Sequence, residues 1–325
     1  MKLTKPNCIG SDISNLSSFC FCLFHVLPYI NQAKYTYEEI MGYTGHAFHI
    51  NVRVEAIDKW GPTMYDWDGV IPRGLHNLGL ISKDIAYSGY HMEVPNVLNN
   101  SIALIRQSID KGVPLIMWEP LGPEFGIIYG YNDESQSLYV IDAAIEGEIP
   151  FDRIGRGDDT PEFYVLSIDE VINRSPNDRI MGTLDLILKY GLTDAHDTWE
   201  FSTGLPAYDA WIIAFNNKKI DFYGNSFNIQ VLKNARESAI GFLNKFKNEF
   251  IKEEEIELIN QSKNSLIEAV KLINELELLF PYPTGGNPRE DLIRDKAIQL
   301  LNDIKEKEKS ALLYLKILRD NKICL

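Results

Sequence analysis

The chain has 325 residues, 45% of them hydrophobic, enough apolar side chain for one large or two medium cores. Its 32 Lys and Arg stand against 46 Asp and Glu, a net charge of −14. Such a surface repels duplex DNA and anionic membrane, and it excludes both as main partners. Residues 1–12 lack the apolar core of a signal peptide, and no later run reaches the roughly 20 residues of a membrane span. Four cysteines at this length make no disulfide framework, since Cys20 and Cys22 are too close to bridge within a helix and Cys8 and Cys324 lie near the ends. The expected location is a reducing cytoplasm.

Taken in order, the first element is an apolar run with Leu23, Val26, Leu27 and Ile30 at helical spacing. Asn15, Ser17 or Ser18 could cap it, and Pro28 ends or kinks it. Cys20 and Cys22 open this helix. There the macrodipole and unpaired N–H groups favour thiolate over thiol; as plain small core residues they would be inert. Tyr37–Met41 reads as a short helix stopped by Gly42. Residues 45–52 alternate like a strand, which would send His46 and His49 to opposite faces. Trp60 to Asp68 is an aromatic loop of the kind that walls a pocket, followed by helices over Gly69–Leu80 and Ser101–Lys111.

Strands are predicted over Pro114–Trp118, Phe125–Tyr131 and Leu138–Asp142, the last two forming a hairpin, and over Glu162–Ser167. Gly155–Asp159 reads as a mobile loop. Helix followed by a mainly antiparallel sheet is an α+β signature. Ser167-Ile168-Asp169-Glu170 has the form of a capping box. Beyond it the pattern is helical, over Arg179–Leu188, Ala207–Phe215 and Asn228–Phe250. Two long stripes follow, Ile256 to Ile273 and Ile293 to Leu318, reversed at Pro281–Pro288. The run Lys252-Glu253-Glu254-Glu255 is a solvated helix start. The expected domains are residues 1–167 and a helical domain over 168–325.

Three groups of residues carry a family resemblance: Cys22-Leu23, Leu27 and Tyr29; Tyr35-Thr36-Tyr37-Glu38-Glu39-Ile40-Met41-Gly42; and Gly45-His46-Ala47-Phe48. This segment resembles the N-terminal domain of the butirosin-biosynthesis acyltransferase family, which is similar to the papain-like cysteine peptidases that process bacteriocin leaders. Further short blocks, Ala207–Trp211, Gly224–Asn228, Ala235-Arg236 and Phe280–Gly286, are similar to long members of that group. The resemblance implies a papain-like first domain in a bacterial, cytoplasmic biosynthetic protein. It also implies acyl or amide transfer by Cys22 on a carrier-bound acyl group or a peptide, with Asp142 as the orienting carboxylate and no cofactor.

Where that pattern calls for a base histidine, counting back from Gly130 gives Glu124. A carboxylate serves as base near neutral pH only if burial lifts its pKa by two or three units, and its charge opposes a thiolate. The catalytic candidates are therefore Cys22, Glu124 and Asp142, with His25, His46, Trp60, Trp67 and Tyr131 as substrate contacts. His25, three residues beyond Cys22, could reach the thiol, and His46 and His49 are the other base candidates. His76, His91 and His196 sit in no motif. No ligand pair has diagnostic metal spacing, and Gly122–Gly126 and Gly155–Gly157 lack phosphate-loop context. The expectations are a cysteine-dependent transferase or amide hydrolase, or a catalytically silent homologue binding a peptide or small molecule; an oligomer is left open.

Overall fold

A computed structural model describes residues 1–30, 35–88, 95–155, 162–192 and 200–323. In chain order the elements are α1 (Ser18–Val26), α2 (Tyr37–Tyr43), β1 (Asn51–Arg53), α3 (Trp67–Asn77), β2 (Leu80–Ser88), α4 (Pro95–Asp110) and β3 (Leu115–Trp118). β4 (Phe125–Asn132), β5 (Ser137–Ile141), β6 (Glu146–Pro150), β7 (Glu162–Val171), α5 (Pro176–Leu192) and β8 (Phe201–Thr203) follow. The chain ends in four helices: α6 (Leu205–Asn216), α7 (Phe222–Phe246), α8 (Glu253–Leu279) and α9 (Asp291–Ile323). The fold is α+β. Among the described residues no helix is long and apolar enough to cross a membrane.

These residues group into two compact units, each built from two stretches of sequence. The first is Met1–Ile40 with Gly79–Asn173. The second is Met41–Leu78 with Arg174–Leu325, so residues 41–78, which the sequence reading kept in a domain of residues 1–167, fall here.

The first unit carries a six-stranded antiparallel sheet in the order β2-β7-β3-β4-β5-β6. Ile105 and Ile109 of α4 pack with Met117, Ile128, Val140 and Val165 in its core, all at most 1% exposed. That burial is the main stabilising term. The N-terminus runs beside β4: Leu3 donates to Tyr129 O and Tyr131 to Met1 O. Gly130 permits this approach, because a Cβ there would sit 2.8 Å from Met1 O. In the second unit, Trp211 and Phe215 of α6 pack against Ile229 of α7, Ile273 of α8 and Leu300 and Ile304 of α9.

Several local expectations are corrected. Ser167–Val171 does not open a helix; it continues β7, pairing with β2 up to Leu80↔Val171 through a register shift between Ile81 and Ser82, and Ser175 Oγ instead accepts from Asp178 N ahead of α5. β2, β6 and β8 had no counterpart in the reading. Residues 46–48 form a 3₁₀ turn, leaving only Asn51–Arg53 as strand. Gly45 launches that turn at φ +79, a conformation that favours glycine. The charge run is not wholly solvated, because Glu255 is buried and pairs with Lys322 at 3.2 Å. Most of the 155–159 loop, His91, His196 and Cys324 lie outside the described residues.

Candidate functional site

Two groups of chemistry-bearing side chains stand out, one in each unit. In the first, α1 begins at Ser18, so Cys20 lies in its first turn and Cys22 in the second. Cys22 therefore lacks the helix-end N–H groups that the sequence reading assigned to it. Its side chain is 0% exposed, and its Sγ donates to Phe125 O at 3.2 Å. Ser18 Oγ in turn accepts from Phe125 N at 3.2 Å. Two side chains one turn apart on α1 thus bind both backbone groups of the residue that opens β4. The Phe19 ring meets the Phe125 ring edge-on at 5.6 Å.

This setting keeps the thiol protonated. Burial is the largest cause raising the Cys22 pKa well above its ordinary value, and the charges of Cys8, Glu124 and Asp142 add to it. Burial also pushes the Cys8 thiol up to about 12. Burial and the hydrogen bond to Phe125 O thus weigh against a stabilised thiolate.

The partners the resemblance implied do not reverse this. Glu124 is an exposed residue of the β3–β4 turn; crowding by protein and then the Asp142 charge raise its carboxyl pKa. Asp142 is buried and shapes the β5–β6 turn, its Oδ1 accepting from Ala144 N at 2.7 Å and Ile145 N at 2.8 Å. The His25 ring lies edge-on to Phe21 at 4.6 Å and Phe24 at 5.3 Å, and burial lowers its pKa. The thiol's hydrogen bond goes to a backbone carbonyl instead of this imidazole. Tyr131 donates to Asp110 of α4 at 2.8 Å. Cys22, Glu124 and Asp142 share one electrostatic neighbourhood, without a base bonded to the sulfur.

The second group centres on His46. Its Nδ1 lies 2.8 Å from Thr44 Oγ1 and its Nε2 2.7 Å from the Tyr65 hydroxyl. His46 thus bridges the Thr44 and Tyr65 hydroxyls, and the Thr44 hydroxyl lies 3.5 Å from Met41 O. The Tyr65 ring stands edge-on to His46 at 5.2 Å and to His49 at 5.0 Å. Both imidazoles meet one ring, against the expected opposite faces, because residues three apart in a 3₁₀ turn eclipse.

Burial holds both imidazoles neutral, pushing His46 down to about 4 and His49 down to about 3. Below them Arg236 of α7 donates from Nη1 to His49 O at 2.8 Å and from Nη2 to Glu308 of α9 at 2.7 Å. Alongside, Tyr190 donates to Asp66 Oδ2 at 2.6 Å and accepts from Lys189 at 3.0 Å.

Trp67 is a buried residue of the aromatic loop's end. It opens α3, is 8% exposed, and donates from Nε1 to Thr63 O at 2.8 Å. Trp60 is partly exposed beneath the Lys59 ammonium, 4.3 Å from its ring. Of this group only His46 and His49 stand out in the sequence as candidates; Tyr65, Tyr190, Asn51 and Arg236 do not, and the signal for them is the spacing His46, His49, Asn51 just ahead of the aromatic loop. Among the described residues no group of three or more His, Cys, Asp or Glu could hold a metal ion.

No protein-family model and no curated protein matches the chain.

Proposed function

We propose that this chain is a catalytically silent relative of the papain-like group that it resembles, binding a peptide or small molecule. One observation carries the reading: the Cys22 thiol is fully buried and spends its hydrogen on Phe125 O. A nucleophilic cysteine needs a base at the sulfur and solvent access for the acyl donor. Here burial and nearby negative groups act against the thiolate.

The test is acyl transfer from a small thioester, acetyl-N-acetylcysteamine, followed by intact and peptide mass spectrometry. In a transferase the Cys22 sulfur would take the acetyl group while the thiol of N-acetylcysteamine leaves. No acetyl adduct at Cys22 is expected, and a rapid stoichiometric one would sink the proposal. The second reading, a cysteine-dependent acyltransferase or amide hydrolase, draws support from the nearness of Cys22, Glu124 and Asp142. It requires α1 and the 119–124 turn to part so that the sulfur meets substrate.

A further inference from the structure

We draw no further inference here: the strongest candidate, the aromatic patch that Tyr223 and Phe227 at the start of α7 form with Tyr282 of the turn between α8 and α9, is an exposed apolar face, and nothing in the structure shows what covers it.

Discussion

The Cys22 thiol and the His46–His49 pair are both reactive types of side chain held neutral by burial, yet they differ in how their hydrogen bonds are spent. Cys22 donates its hydrogen to Phe125 O, so it ties α1 to the first residue of β4. His49 Nε2 and, two residues on, Asn51 Oδ1 have no hydrogen-bond partner. Burial alone therefore does not separate structure from function.

The largest effect should come from the support beneath the imidazoles. Arg236 and Glu308 are 1% and 5% exposed, so Arg236→Met strands a buried carboxylate. A loss of about 3–5 kcal/mol is expected in urea unfolding. The double variant Arg236→Met/Glu308→Leu should regain most of it. A single variant close to wild type would mean that the pair is not the anchor of the His49 backbone.

Acid should act next. His46 has an ordinary pKa of 6.5 and is lowered to about 4; His49 is lowered further, to about 3. Between these values and 6.5 the unfolded chain binds more protons than the folded one, so stability is fully present above pH 6.5 and falls as pH drops. His46 alone should contribute a slope of up to about 1.4 kcal/mol per pH unit between roughly pH 6 and 4. Urea midpoints across that range read it, and His46→Gln should flatten the curve. An unchanged slope would show that His46 is already protonated or solvated in the native state.

In the first unit, Asp142→Ala should cost about 2 kcal/mol by removing the acceptor of two turn amides, while Asp142→Asn, which keeps an oxygen, should cost clearly less. Equal losses would point to a role for the negative charge, as the transferase reading requires. The smallest effect belongs to Cys22→Ser, whose hydroxyl can still donate to Phe125 O. About 1 kcal/mol or a little more is expected from the poorer fit of a shorter, more polar group.

Much of the fold could be read from periodicity. The stripes of α8 and α9 and the buried run at β3 follow from spacing and apolar content. Single edges and turns were less legible. In β2 only Leu80 is buried to 1% while Ile81, Ser82 and Ile85 are partly exposed, so this edge strand has only a weak alternation to show in the sequence. At 45–52 the alternation was genuine only beyond His49. The turn set by Gly45 shifted the phase, and with it the face on which His46 lies.

The candidate site was harder still. Residue type and helix position suggested a thiolate at Cys22, but its protonation depends on burial and on Cys8, Glu124 and Asp142, which are distant in sequence. Tyr65, Tyr190 and Arg236 join the His46 group only through the tertiary fold.

The central distinction is tested most directly by alkylation of Cys22 with iodoacetamide in the native protein, followed residue by residue from pH 7 to 9. A thiol buried and bonded to Phe125 O should react only through opening of the fold, far more slowly than in urea and with its rate tracking stability. Fast native alkylation of Cys22, with a midpoint below the ordinary thiol pKa, would contradict it and restore the nucleophile.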